Sequence, residues 1–170
     1  YFADLFAQRD AMSGVEPVLS LRYSDNAHLA DIPALRADLQ PKSACRIPLK
    51  ARLRRRYRAP YEAAAVNQRH TLAQLSAGAF DVFHPTYYDA YFLEALGGKP
   101  LVVTVYDLVH ELCPEYYLTD TRIREKERVI RRADRLIAIS HATKKDLVET
   151  YAIAPDKIDE VVLVGGSTRV

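Results

Sequence analysis

With 170 residues, 49% of them apolar and 27% charged, the chain is long enough for one well-packed domain and too short for two of ordinary size. Its net charge of +2 does not by itself point to nucleic acid or to a membrane. No stretch approaches the ~18 consecutive apolar residues of a membrane span.

Tyr1–Asp10 carries early charges and no small-residue cleavage pattern, so it does not read as a secretory signal. Cys45 and Cys113 stand alone without CxxC or Cys/His spacing, which suits a reducing cytosol better than a disulfide framework or a zinc site.

The chain opens with a helix expected over Tyr1–Met12, with Phe2, Leu5 and Phe6 on one face. Pro17–Tyr23 reads as a strand. Asn26–Gly78 reads as two or three helices interrupted by Pro33, Pro41, Pro48 and Pro60. Within it lies a basic run that holds Arg52, Arg54, Arg55, Arg56 and Arg58 and no acid. Such a run is either a solvated face or a surface drawn to anionic lipid headgroups, at roughly 1 kcal/mol per cation. Only Tyr57 and Tyr61 interleave it, sparse for a nucleic-acid site.

Strands are expected at Phe80–His84, Leu101–Tyr106, Arg135–Ile139 and Ile158–Val164, and helices at Thr121–Ala133 and His141–Tyr151. Gly97-Gly98 reads as a helix stop. Short apolar runs alternating with amphipathic stretches imply an α/β domain, a Rossmann-like three-layer sandwich with a mostly parallel sheet. Such a domain normally starts with a strand and a glycine-rich turn. This chain starts in a helix, so its first strand is expected to be trimmed away.

Ligands of open parallel sheets bind beyond the carboxyl ends of the strands. There the chain offers His84, Thr86 and Tyr87 after one strand, Tyr106, Asp107 and His110 after the next, and Ser140 after the third. Ser140 also has the position of an N-cap, which does not exclude an anion at the same helix terminus. Asp107 either faces the ligand or braces its own turn. His110-Glu111 resembles the first half of a zinc-protease motif, but no second histidine follows at the required spacing. His28 and His70 read as solvated surface residues. Neither a dinucleotide fingerprint, a P-loop nor a nucleophile elbow is present in the sequence.

Three segments in order resemble glycosyltransferase family 4. They are Asp81-Val-Phe-His-Pro-Thr, the run from Lys99-Pro-Leu-Val-Val-Thr-Val-Tyr-Asp to Tyr117, and Ala133-Asp-Arg-Leu-Ile-Ala-Ile-Ser-His-Ala-Thr-Lys-Lys-Asp-Leu. The likeness is good from Phe80 to Val164 and vague before it. It implies one half of a GT-B fold. Residues 1–164 would be the N-terminal, acceptor-side domain, and 165–170 would begin the crossover to a donor domain.

On that resemblance the expected function is retaining transfer of a sugar from a nucleotide-sugar donor to an acceptor hydroxyl in polysaccharide or glycolipid synthesis. Tyr106, Asp107 and His110 would be catalytic, with His84, Thr86, Tyr87 and Ser140 binding the acceptor. Tyr106 stands where the family often has histidine, and tyrosine is a poor base at neutral pH. No metal or other cofactor is implied, since the donor is a substrate held mainly by the C-terminal domain. The expected partners are a sugar or lipid-linked acceptor, that donor domain, and an anionic membrane surface, with no nucleic acid. The location implied is cytoplasmic or peripheral on the inner face of the membrane. Alternatives are a non-catalytic Rossmann-like module that binds a sugar or nucleotide, and a GT-B sugar epimerase.

Overall fold

A computed structural model describes residues 13–30, 32, 39–45, 59–117 and 122–160. The helix expected over residues 1–12, the basic run with its five arginines, the end of the last expected strand and residues 165–170 lie outside the described residues. The chain divides into two compact units, Tyr1–Ala79 and Phe80–Val170.

In the first unit a short helix, α1 (Ala27–Ala30), precedes a 19-residue helix, α2 (Ala59–Ala77). Pro60 falls in the first turn of α2, where a missing N–H costs nothing. Ala63, Thr71 and Leu75 are buried along one face of α2. Asn67 lies on that same four-residue row.

The strand expected at Pro17–Tyr23 is not formed. Tyr23 makes one isolated parallel bridge, to Gln40. Side chains of α2 take up several other backbone groups of this segment. Asn67 accepts from the N–H groups of Arg22 and Tyr23 at 3.1 and 3.0 Å and donates to the Tyr23 carbonyl at 2.9 Å. The Ser20 hydroxyl donates to Thr71 Oγ1 at 2.9 Å. With those partners supplied, extended backbone needs no ladder.

The second unit holds a three-stranded, all-parallel sheet ordered β1 (Val102–Val105), β2 (Arg135–Ala138), β3 (Ile158–Glu160). Its register pairs Val103 with Leu136 and Leu136 with Ile158. Val103, Thr104 and Val105 are successive residues and all buried, so β1 is covered on both faces, as in a helix-covered parallel sheet. The Rossmann-like α/β class is thus realised.

Ahead of β1 lies α3 (Leu93–Leu96); α4 (Val109–Leu112) and α5 (Arg122–Arg132) connect β1 to β2, and α6 (His141–Tyr151) connects β2 to β3. Gly97 ends α3 at φ 59°, a conformation that glycine adopts without steric cost. The strand expected at Phe80–His84 shrinks to one bridge, Phe83 to Leu101. Phe83 exchanges bonds with Pro100 and Val102 at 2.9 and 3.0 Å. Two residues on, Pro85 has no N–H with which to extend the ladder.

At the amino edge of the sheet, Asp134 ties β2 to β1. Its carboxylate accepts from the Leu101 N–H at 2.8 Å and from Arg132 at 3.0 Å. The Leu101 bond, with the guanidinium of Arg132, holds the Asp134 carboxyl below the usual range.

Candidate functional site

The chain leaves β1 at its carboxyl end in Tyr106-Asp107-Leu108 and turns into α4. Leu108 is 1% exposed, and this apolar anchor turns the flanking residues outward. The Asp107 carboxylate accepts from the Val109 N–H at 3.2 Å, bracing the first turn of α4 in an Asx-type arrangement. Asp107 also lines an open cleft of about 180 Å³, together with Tyr106 and His110 from the same segment. Tyr87, Tyr88 and Asp89 form another wall, and Ile123, Glu125 and Lys126 of α5 close a third.

Tyr88 fixes one wall from within. It is buried, and its hydroxyl accepts from the Tyr106 N–H at 3.0 Å. Burial pushes its phenol well above the ordinary range, so it remains protonated. Tyr87 packs against Tyr88 at 4.9 Å between ring centroids and keeps half its surface exposed. The His110 ring lies 4.0 Å from that of Tyr117, tilted by 31°.

Lys126 holds the floor. Its ammonium donates to the Asp107 carbonyl at 2.6 Å and to Glu111 Oε2 at 3.0 Å, and sits 5.1 Å from the Tyr88 ring centroid. The other Glu111 oxygen accepts from the Tyr151 hydroxyl at 2.8 Å. Burial first, and then the carboxylate of Glu111, raise the Tyr151 phenol. Glu111 therefore points into the protein as a buried acceptor. Among the described residues no cluster of three metal-ligating side chains occurs.

Of the seven site residues expected from the sequence, four meet in the cleft: Tyr87, Tyr106, Asp107 and His110. The other three do not line it. Thr86 is exposed beside Tyr87. His84 turns toward the sheet, with Nε2 2.9 Å from Oγ1 of the buried Thr104, and burial lowers its pKa from 6.5. Ser140 caps α6, accepting from the Thr143 N–H at 3.1 Å. Thr143 Oγ1 in turn donates to the Tyr106 carbonyl at 3.3 Å, so the cap reaches the cleft through a backbone group. His28 is exposed and His70 half-buried.

Sequence reasoning missed Lys126, Glu125, Tyr88 and Asp89. A signal for Lys126 exists: it shares one stripe of α5 with Val129 and Ile130, three and four residues on and both buried. A lysine on a core stripe has to find a partner.

As a chemical environment the cleft combines aromatic faces with hydrogen-bonding hydroxyls, carboxylates and an imidazole. Such walls suit a ligand with apolar C–H faces and many hydroxyls. The family model described as Glycosyltransferase Family 4 matches residues 9–161. No curated protein matches the chain.

Proposed function

The chain belongs to glycosyltransferase family 4, and from that premise we propose that its cleft receives the acceptor in transfer of a sugar from a nucleotide-sugar. The acceptor oxygen bonds to the anomeric carbon of the donor sugar. The bond from that carbon to the nucleoside diphosphate breaks, and the hydroxyl proton leaves with the diphosphate. Configuration is retained. No side chain needs to act as a strong base, which suits tyrosine at position 106.

Asp107 accepts a hydrogen bond from an acceptor hydroxyl, Tyr106 and Tyr87 supply stacking faces, and His110 orients the reacting group. Tyr88 and Lys126 hold this constellation in place. Thr86 and His84 support the wall that carries Tyr87, and Ser140 supports Tyr106 through Thr143. The donor is gripped mainly by a C-terminal domain, its diphosphate held by side chains and helix termini without a metal ion. The physiological setting is synthesis of a polysaccharide or glycolipid at the inner face of a membrane, to which Arg52, Arg54, Arg55, Arg56 and Arg58 bind through anionic lipids.

The observation that carries this reading is the meeting of Tyr87, Tyr106, Asp107 and His110 at the carboxyl edge of β1, where open parallel sheets bind their ligands. The test is to incubate the full-length protein with a panel of nucleotide-sugars and hydroxyl acceptors and to follow release of nucleoside diphosphate. Acceptor-dependent release, with the donor's anomeric configuration kept in the product, is expected. Inverted product would overturn retention, and no acceptor-dependent release with any donor would overturn the transferase reading.

A further inference from the structure

Resting on the reading of this cleft as the acceptor subsite, we propose that the apolar ridge beside it, Val109, Leu112 and Tyr116, takes a hydrocarbon chain borne by the acceptor sugar. The size of the cleft is the first observation. At about 180 Å³ it falls below the roughly 300–1,000 Å³ of pockets that bury a whole drug-sized ligand. It has room for about one sugar ring, so whatever that sugar is attached to lies over the rim.

The second observation is what the rim presents. Val109, Leu112 and Tyr116 are 40%, 52% and 79% exposed. Val109 and Leu112 stand three residues apart on one face of α4, while Glu111 between them points inward with its side chain 5% exposed. Val109 precedes His110, which lines the cleft. Tyr116 ends the turn Pro114–Tyr116, and the next residue, Tyr117, packs its ring on His110 at 4.0 Å. The ridge thus meets the cleft at His110 from both ends.

The chemistry of the ridge selects its occupant. A second sugar would need partners for its hydroxyls, and Val109 and Leu112 offer none from their side chains. A protein partner draws on about 20–30 residues a side, and the ridge supplies three. A hydrocarbon chain needs only a narrow apolar track, and each CH₂ laid on it leaves water.

The full-length protein is titrated with methyl and octyl glycosides of glucose, galactose and mannose, the octyl glycosides kept below their micelle concentrations. Binding is read by saturation-transfer NMR. In each pair that binds, the octyl glycoside is expected to be at least about tenfold tighter, from burial of two or more CH₂ groups. Leu112→Asn combined with Tyr116→Ser, at positions exposed enough to accept polar side chains, should cut that ratio to under about threefold. An octyl glycoside no tighter than its methyl partner, or a gain that survives in the double variant, would overturn the ridge and leave the acceptor reading intact. Where the gain survives, loss of neutral-vesicle binding or of self-association in the double variant would assign the ridge to a membrane or to a second copy. Binding by none of the sugars, or methyl glycoside binding unchanged in Tyr106→Ala, would remove the acceptor reading and the chain subsite with it.

Discussion

The ammonium of Lys126 stands 3.0 Å from the carboxylate of Glu111, with the two side chains only 7% and 5% exposed. This pair joins α5 to α4, and the Tyr151 hydroxyl adds α6 on the far oxygen of Glu111. Because Lys126 also holds the Asp107 carbonyl, the pair sets the path of the segment that lines the cleft. Removing one partner strands the other as a buried charge, which is far costlier than removing both.

Lys126→Met is therefore expected to destabilise the protein by about 3–5 kcal/mol, and Lys126→Met with Glu111→Leu by clearly less. Urea unfolding of the two variants decides the point. A single variant that loses under about 1 kcal/mol would mean that water reaches Glu111 and the pair is not buried in solution.

Ser140→Ala removes a side-chain cap whose oxygen lies 3.1 Å from the Thr143 N–H. A loss of about 0.5–2 kcal/mol in stability is expected, with acceptor KM little changed because Ser140 does not line the cleft. A large KM effect at unchanged stability would reverse that assignment and make Ser140 a ligand contact.

Much of the parallel sheet was legible because its signals are local. The run Leu101–Tyr106 is apolar at successive positions, as a strand covered on both faces requires, and α6 begins after a serine cap and spans the expected residues. Where partners come from far along the chain, the pattern misled. Pro17–Tyr23 alternates like a strand, yet its Arg22 and Tyr23 N–H groups go to the side chain of Asn67, 45 and 44 residues away. In the cleft, residues following the strand ends were legible by rule. His84 and Ser140 were not separable from them, since only the packing turns His84 to Thr104 and leaves Tyr87 outside. Lys126 was overlooked because a helix with this much charge reads as solvated, and only its shared stripe with Val129 and Ile130 betrays burial.

Burial lowers the pKa of His84 below 6.5, so between its folded and unfolded values the unfolded chain binds more protons. Stability from this group is complete above pH 6.5 and is lost as pH falls below it. His84→Gln is expected to flatten the decline between pH 7 and about pH 5, read as the difference between the variant and parent melting curves. Identical slopes would show that the His84 ring is hydrated in solution.

The basic run with Arg52, Arg54, Arg55, Arg56 and Arg58 tests the membrane proposal separately from the chemistry. Replacing three of these arginines with glutamine should remove roughly 3 kcal/mol of binding to anionic vesicles. Binding to neutral vesicles should be unchanged, and turnover of a soluble acceptor should hold. Co-sedimentation in low and high salt makes the measurement. Equal binding of the parent protein to neutral and anionic vesicles would end the proposal.

Tyr106 and His110 bear on the reaction itself, and their substitutions separate stacking from hydrogen bonding. Tyr106→Phe keeps the ring and loses the hydroxyl. The Tyr106 N–H bond to Tyr88 belongs to the backbone and survives, so the wall should stand. If the ring mainly stacks on the acceptor, Tyr106→Phe keeps most activity while Tyr106→Ala raises acceptor KM by about tenfold or more. His110→Ala removes a ring that also packs on Tyr117 at 4.0 Å, so it is paired with His110→Phe, which keeps the packing and removes the nitrogens. A fall of about 10²-fold in kcat in both would assign the imidazole nitrogens to the reaction. A fall in the alanine variant alone would leave His110 as packing for the cleft wall. Parent-like rates from Tyr106→Ala and both His110 variants would remove these residues from the mechanism, and with them the observation on which the acceptor reading rests.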